Sequence, residues 1–349
     1  MRKVLLFLVF SAFLTMAQDS VDVTPKMFGY IRSWEQIDLA VNQNAFITKE
    51  ARFGVRGNVN EYASYKLQLD FTRLGKLTTT TTTIDTGKTS TKKVTVISSA
   101  SATFSDVLLD AEATFKPDKA LSLTLGQFVV PVSTDNLRGG ADLEFVNRPL
   151  MATTVTPELR DVGFLATYTM NNSPMPVEIK AGVYNGSGQN KAENDRTVNY
   201  SARAVVQAAP SLTVAGNFYG GKFAAAKMHM LDFGVDYKID KFTFSGEFAQ
   251  RKNEFTTSSS TSNAWFIYAL YDFNFGKSMI SHIIPALRYE HYDPNTNLDN
   301  NEIARLVPGI SFEFSKIKFA QMRINYELFD YKDGSTNPDK VIVQFICRF

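Results

Sequence analysis

The sequence has few residues that could hold a metal ion or build a catalytic centre. Its 349 residues include one cysteine, Cys347, which excludes an internal disulfide framework and cysteine-based zinc motifs. The three histidines, His229, His282 and His291, form no metal-ligand pair such as His-x-x-x-His. A nucleophile elbow and a phosphate-cradling glycine loop are also lacking. We therefore predict neither an enzyme nor a cofactor, and a barrel hydrolase using serine and histidine is the enzymatic alternative.

The sequence also lacks an apolar run of the length that a transmembrane helix needs, about 20 residues. A shorter run at 4–10 follows Arg2 and Lys3, and the small-residue segment 15–17 precedes Gln18. This order is typical of a secretory signal peptide covering residues 1–17, and the short run disfavours the alternative, a membrane anchor. A mature chain of residues 18–349 could then cross a membrane only as a closed β-barrel, which leaves no backbone group unpaired.

An excess of charge of one sign is absent as well. The chain has 37 basic and 35 acidic residues, and loss of Arg2 and Lys3 with the signal peptide leaves 35 of each. Bulk charge therefore indicates no partner, and we predict no binding to nucleic acid. Any preference for anions must come from the positions of the arginines.

The chain does contain a recurring unit of about ten residues in which apolar and polar side chains alternate. Such units are typical of membrane β-barrel strands. Every second connection, such as 58–62 or 117–119, is short, whereas the others are mostly long and polar, with 42–45 as an exception. Outer-membrane barrels show this pattern because their periplasmic turns are tighter than their external loops. We predict sixteen antiparallel strands, at 28–41, 46–57, 63–73, 107–116, 120–128, 162–170, 177–185, 197–208, 211–219, 230–239, 241–251, 264–274, 282–292, 303–314, 319–329 and 340–349.

The two faces of each predicted strand differ in polarity. In the strand at 241–251, Phe244 and Phe248 lie on one face, and Glu247 and Arg251 lie on the other. A charge on the lipid face near mid-bilayer costs about 2–4 kcal/mol, so the charged face must look inward. So many inward charges require water, and sixteen strands enclose an aqueous channel.

The C-terminal strand follows the same rule and ends on an aromatic residue. We predict that it pairs with the first strand, that its final ring lies in the interfacial girdle, and that its cysteine faces lipid. The lipid face would carry Val341, Val343, Phe345, Cys347 and Phe349, and the inward face Lys340, Gln344 and Arg348, with Ile342 and Ile346 as apolar exceptions.

Two connections are unusually long. Residues 74–105 include six consecutive threonines and many serines and lysines, which predicts a solvated external loop, with a receptor or glycan contact as the alternative. Residues 129–161 form the third external loop and mix apolar side chains, such as Leu143 and Phe145, with charged ones. A freely solvated loop would not need the apolar side chains. We therefore predict that the third loop folds into the lumen and packs on the wall.

Three motifs occur in order around the third loop. Gly126-Gln127-Phe128 is followed by Pro131, then by Glu144-Phe145-Val146-Asn147-Arg148-Pro149, then by Arg160-Asp161-Val162-Gly163. Over residues 126–163 these motifs resemble the phosphate-selective porin family, porins O and P, and the strand plan extends a looser resemblance over the mature chain. The resemblance implies a trimeric outer-membrane channel whose third loop narrows the pore, with arginines and lysines guiding anions.

Arginines on the inward strand faces and in the third loop are the candidates for contact with anions. Guanidinium groups match phosphate geometry, and rings of arginine or lysine select anions. Inward carboxylates such as Glu247 and Glu290 offer each arginine a second role, in a salt bridge of the wall. Arg148 and Arg160 could instead tie the loop to the wall through Glu144, Glu158 or Asp161. The candidates are Arg52, Arg56, Arg203, Arg288 and Arg323 on strands, and Arg138, Arg148 and Arg160 in the loop.

The sequence thus predicts an outer-membrane porin, a water-filled channel through which small hydrophilic solutes diffuse, with a preference for anions such as phosphate. Two alternatives remain open, a general non-selective porin and a surface docking or adhesin barrel that works through residues 74–105. The expected partners are small anions or other hydrophilic solutes, outer-membrane lipid and, by resemblance, further copies of the chain in a homotrimer.

Overall fold

Neighbouring strands of the chain pair antiparallel, and the last strand pairs with the first, which closes a β-barrel in this computed structural model. The predicted signal peptide, 1–17, lies outside the described part of the chain. The structure describes residues 21–39, 43–74, 78–84, 92–98, 104–156, 160–191, 197–223, 226–276, 278–314, 320–335 and 339–349.

The described residues are mostly strands. These are β1 Lys26–Asp38, β2 Gln43–Asn58, β3 Ala63–Asp70, β4 Thr78–Ile84, β5 Lys92–Ser98, β6 Leu108–Phe115, β7 Leu121–Val129, β8 Arg160–Met170, β9 Val177–Tyr184, β10 Asn199–Ala209, β11 Leu212–Phe223, β12 Ala226–Ile239, β13 Phe242–Glu254, β14 Ser259–Tyr271, β15 Phe273–Asn274, β16 Ile280–Asp293, β17 Ile303–Phe314, β18 Ala320–Tyr331 and β19 Lys340–Arg348. Short α-helices occur at α1 Phe104–Val107, α2 Thr134–Leu137 and α3 Leu150–Thr154, with 3₁₀ turns at Phe71–Arg73 and Gly140–Asp142. Among these residues, no helix is both long and apolar enough to cross a membrane.

The prediction of sixteen barrel strands is confirmed. The two-residue β15 extends the sheet beside β16, and each of the other barrel strands overlaps a predicted one. Within 74–105, β4 and β5 pair as a separate two-stranded sheet, which the sequence analysis did not predict. Threonine is β-branched and favours extended backbone, which accounts for a strand in the threonine run.

Two of the predicted long external connections are short. β11 and β12 stay paired out to Phe223 and Ala226, and β13 and β14 stay paired out to Glu254 and Ser259. Glycines and alanines at the ends of β11 and β12, and polar residues on both faces at the ends of β13 and β14, broke the expected alternation, so the predicted strands ended too early. Backbone pairing continues there regardless of side-chain polarity, because each strand supplies hydrogen-bond partners to the next.

The register places the charged and apolar faces as predicted. On β18, Arg323 and Glu327 face the lumen and are buried there, while on β19 Phe345 faces outward and is 57% exposed. Ile342 and Ile346, the apolar exceptions of the inward face, are completely buried or nearly so. Ile342 packs with Trp34 and Val146, and Ile346 packs with Tyr30 and Ala141. Since Ala141 and Val146 belong to the third external loop, the exceptions mark where that loop covers the wall.

The seam between β1 and β19 depends on a glycine. The backbone N–H and C=O groups of Gly29 and Phe349 exchange two hydrogen bonds of 3.1 Å. A Cβ atom at Gly29 would lie 2.4 Å from the carbonyl oxygen of Arg52 and 2.5 Å from the Phe349 ring, which stacks on Phe53. The terminal ring therefore occupies space that any other residue at position 29 would fill.

Candidate channel constriction

The third external loop runs along the inside of the barrel wall. Its described residues, 130–156, include α2, the turn Gly140–Asp142 and α3. Contacts reach β10 and β13 from α2, and β1, β18 and β19 from the Gly140–Asp142 turn. The predicted folding of this loop into the lumen is thereby confirmed, and the loop reduces the cross-section that solutes can use.

An apolar cluster holds one side of the loop to the wall. Phe145 and Met151 of the loop have 1% and 0% exposure, and the Phe145 ring packs edge-on against Tyr268 at 5.6 Å between centroids. Full burial of a side chain of this size stabilises the packed state by about 1.5–3 kcal/mol. The cluster also includes Val130, Val132, Ala152 and Val155 of the loop, and Phe128, Leu165, Tyr184, Tyr219, Met228, Met230, Ala249, Ala264, Phe266, Leu270 and Val307 of the wall.

Carboxylates of the wall accept hydrogen bonds from backbone N–H groups of the loop. Glu247 accepts hydrogen bonds from the N–H groups of Thr134 at 2.6 Å and Asp135 at 3.2 Å, at the start of α2. Glu290 accepts one from Leu150 N–H at 2.6 Å, at the start of α3. The first N–H groups of a helix have no partner within the helix, so these carboxylates satisfy donors that would otherwise be buried unpaired.

Arginines of the wall bind the backbone carbonyl oxygens of the loop. Each guanidinium offers several donors in a rigid fork, so it can pair with a wall carboxylate and reach a loop carbonyl as well. The bonds join Arg32 to Gly140 (3.0 Å) and Val146 (3.3 Å), Arg323 to Ala141 (2.8 Å), Arg288 to Asn147 (3.0 Å), Arg305 to Arg148 (2.7 Å), Arg251 to Val155 (3.2 Å) and Arg348 to Ala141.

Two of the three predicted loop arginines lie together. Arg138 donates to the Tyr268 hydroxyl at 3.0 Å and lies 3.6 Å from carboxylate oxygens of both Glu144 and Asp236. Arg148 donates to the Arg138 carbonyl and forms an ion pair with Asp135, 3.0 Å away. Arg148 therefore ties the loop to itself, and Arg138, whose side chain is 25% exposed, keeps part of its guanidinium open to the lumen.

Arg160, the third predicted loop arginine, is at the first position of β8 and is buried. Its Nε lies 2.7 Å from Asp110, whose other carboxylate oxygen is 2.8 Å from the Lys66 ammonium. This makes Arg160 part of a salt bridge of the wall with Asp110 of β6, which is one of the three roles considered for it.

The five predicted wall arginines have different surroundings. Arg203, Arg288 and Arg323 are almost fully buried, and each reaches the third loop, Arg203 through the Thr134 hydroxyl. Arg52 is paired with Glu50 at 2.6 Å. Arg56 is exposed, with its guanidinium carbon 5.3 Å from the centre of an aromatic ring on β1.

Arg56 lines a cavity of about 410 Å³ near the first periplasmic turn. Lys26 and Lys66 supply two further cations, and Asp22 and Glu112 supply two acids, one of which pairs with Lys26 at 3.1 Å. Register places Lys26, Arg56 and Lys66 on the same inward face, because Lys26 lies opposite Arg56 and Arg56 lies opposite Lys66. The cavity therefore brings together three cations from three neighbouring strands.

Sequence reasoning missed Arg32, Arg305 and Glu290 as residues that position the loop. Their inward phase could be seen from alternation, since Arg32 lies two residues from both Tyr30 and Trp34. No local signal identified their partners, which lie 108 residues away for Arg32 and Gly140.

Glu144 is a half-buried carboxyl of the third loop whose pKa is shifted by its surroundings. Burial raises its pKa above the ordinary glutamate value, while the neighbouring Arg138 and Arg323 act against the shift. The carboxyl therefore takes up a proton at a higher pH than an exposed glutamate would.

The chain matches a family model described as phosphate-selective porin O and P over residues 35–264. The match covers well over half of the chain. This protein belongs to that porin family. The porin motifs identified at residues 126–163 lie within the matched range.

Solved outer-membrane channels share the fold of this porin at low sequence identity. OmpT of Vibrio cholerae, in a trimer form, aligns with a TM-score of 0.59 and 12% identity over 93% of this chain and 99% of its own. An anion-selective porin from Comamonas acidovorans aligns with a TM-score of 0.59 and 13% identity over 93% of this chain and 99% of its own. OmpF of Salmonella typhi, solved with daunomycin, aligns with a TM-score of 0.59 and 14% identity over 93% of this chain and 97% of its own. A comparison with curated proteins gave no match.

The family and the barrel together make this protein an outer-membrane channel. Its charged residues face a lumen, and the third loop narrows that lumen. Porins are channel proteins.

Proposed function

We propose that this porin lets small hydrophilic solutes diffuse across the outer membrane and favours anions such as phosphate. The observation that carries the anion preference is the exposed Arg56 in the cavity that it shares with Lys26 and Lys66. Lys26 pairs with Asp22, and Lys66 pairs with Asp110 and Glu112, whereas the Arg56 guanidinium lies over an aromatic ring. The family description and the anion-selective porin of the same fold agree with this preference. Arginine and lysine side chains lining a pore attract anions and repel cations.

Within this proposal, the predicted arginines have two roles. Arg56 and Arg138 contact passing solutes, because their side chains keep exposed surface in the lumen. Arg203, Arg288 and Arg323 position the third loop through hydrogen bonds to it. The remaining three, Arg52, Arg148 and Arg160, shape the local field through ion pairs that leave little of them exposed.

The preference is modest in this proposal. Acidic side chains are also exposed to the lumen, with Asp142 at 60% and Glu144 at 36% of the side-chain surface. Cations and anions would both pass, and anions would pass faster.

The test is the reversal potential of the purified porin in a planar bilayer under a salt gradient. Arg56→Glu and Arg138→Glu should each shift the potential toward cation selectivity, because each replaces a lumen cation by an anion. Lys119→Glu is the matched control, since Lys119 is exposed in a periplasmic turn and should leave the potential unchanged. A cation-selective wild type would overturn the anion preference, and absence of conductance would overturn the channel.

We also propose that the porin assembles as a homotrimer. The family resemblance implies a trimer, and the OmpT structure of the same fold is a trimer form. Chemical cross-linking in detergent should give a species three chains in size.

A further inference from the structure

The outward surface of the barrel is chemically asymmetric along β11, β12 and β13. At the external ends of these strands, cations face outward, whereas at the periplasmic ends the outward side chains are aromatic or aliphatic. The phase is set by the register, in which His229 lies opposite Gly220 and Lys252, and Lys227 lies opposite Lys222 and Glu254.

The cationic end is exposed. Lys227, His229 and Lys252 are all exposed, and the His229 ring stacks on Phe218 at 6.5 Å between centroids. Glu254 is the acid within this group, and Lys252 approaches it to 2.7 Å. We call Lys222, Lys227, His229 and Lys252 the external basic patch.

The outward face below the external basic patch is apolar over the height of a membrane. On β12, Leu231, Phe233, Val235, Tyr237 and Ile239 follow one another on that face, and all are strongly exposed. Leu231 and Ile239 are about 26 Å apart along the strand, at roughly 3.3 Å per residue. Because the strands are tilted, this length covers about 20 Å along the membrane normal. The apolar band of such barrels is about 25 Å tall, so the external basic patch lies at the outer interface of the membrane.

On three other strands, acidic side chains face outward at the external end. The external ends of β1, β16 and β18 place Glu35, Asp293 and Asp330 on the outward face, as their pairing partners show. Among these described strand ends, β11, β12 and β13 carry mostly outward cations and the other three carry acids, one of which pairs with a lysine, Lys332, at 3.3 Å. The cations of the external basic patch face away from the lumen and cannot reach solutes there.

We propose that the external basic patch binds the phosphorylated headgroup of a lipid in the outer leaflet. Phosphate oxygens accept hydrogen bonds from lysine ammonium groups and from imidazole N–H groups, and basic residues at a membrane interface attract anionic lipid. The acyl chains of the same lipid would lie on Phe218, Leu231 and Phe233, directly below the patch. A free phosphate ion would lack that apolar contact.

The proposal can be tested with the detergent-solubilised full-length porin and bisphosphorylated lipid A as the probe, measured by native mass spectrometry and titration. The variant Lys227→Gln/His229→Gln/Lys252→Gln should bind the lipid at least tenfold more weakly, and added salt should weaken wild-type binding. Lys238→Gln/Lys241→Gln, at the periplasmic end of the same strands, is the matched control and should bind like the wild type.

Three results distinguish the phosphorylated lipid from other ligands. Dephosphorylated lipid A should bind weakly, and inorganic phosphate at the same concentration should not displace bound lipid. Single-channel conductance of the triple variant should equal that of the wild type, since the patch lies outside the lumen. Equal lipid binding by the wild type and the triple variant, with both folded by circular dichroism, would overturn the proposal.

Discussion

The Glu290 carboxylate binds the wall and the third loop at once. It lies 2.7 Å from Arg288 and 2.9 Å from Arg305, and it also accepts the Leu150 N–H bond. The two arginines in turn donate to loop carbonyls, so one buried anion fixes the loop through three routes. With 0% exposure, it has no access to water that could replace a lost contact.

We predict that Glu290→Gln loosens the loop and destabilises the barrel. Removal of one partner from a buried charge network costs about 3–5 kcal/mol, because the remaining charges stay buried without compensation. Single-channel conductance should become larger and noisier, and the thermal unfolding temperature in detergent should fall. Glu61→Gln, at an exposed turn, is the control. Unchanged conductance and stability in Glu290→Gln would show that the other contacts of the loop hold it without the Glu290 carboxylate.

A second prediction concerns the pH dependence of selectivity and depends on the raised pKa of Glu144. As pH falls through that pKa, the loop loses one negative charge while the arginines around it keep theirs. The anion preference should therefore rise on acidification, starting at a higher pH than ordinary glutamates would allow. Reversal potentials measured at stepwise lower pH would show this as a difference between the wild type and Glu144→Gln. Identical pH profiles for the two proteins would contradict it.

Alternation predicted the face of each side chain but not its partner. The inward phase of Arg288, Arg323 and Glu327 followed from sequence, because a strand repeats every two residues and lipid excludes charge. The bonds of Arg323 to Ala141 and of Arg288 to Asn147 span 182 and 141 residues, and no local rule specifies such pairs. The apolar residues of the third loop predicted that it packs inside the barrel, but only the fold determines which wall groups it meets.

The barrel closes through the pairing of β1 with β19. Nine residue pairs, from Tyr30–Arg348 to Asp38–Lys340, join the two strands, and the Gly29–Phe349 hydrogen bonds extend the pairing by one position. The terminal aromatic predicted this pairing from sequence. The need for glycine at position 29 could not be predicted from the sequence, because it arises from contact with the Phe349 ring, which belongs to the other end of the chain.

We predict that Gly29→Ala weakens the seam by about 1–3 kcal/mol, the usual cost of overpacking. The added methyl group would lie 2.4 Å from a backbone oxygen, which cannot move aside without disturbing β2. The temperature at which the folded band converts to the unfolded band on gel electrophoresis should fall. Gly216→Ala is a matched control within β11, because its Cβ would meet the Phe233 ring at an ordinary 3.6 Å. Equal conversion temperatures for the two variants would show that the seam tolerates the methyl group.

The assembled protein should conduct through three separate lumens. Each chain closes its own wall through the β1–β19 pair and folds its own third loop inward, so the strands and third loop of one chain suffice to line one lumen. In the proposed homotrimer, channels at high voltage should therefore close in three steps of equal size. Native mass spectrometry of the same preparation should give three chains per particle. A single closing step, together with the mass of one chain, would contradict the trimer while leaving the barrel and its anion preference in place.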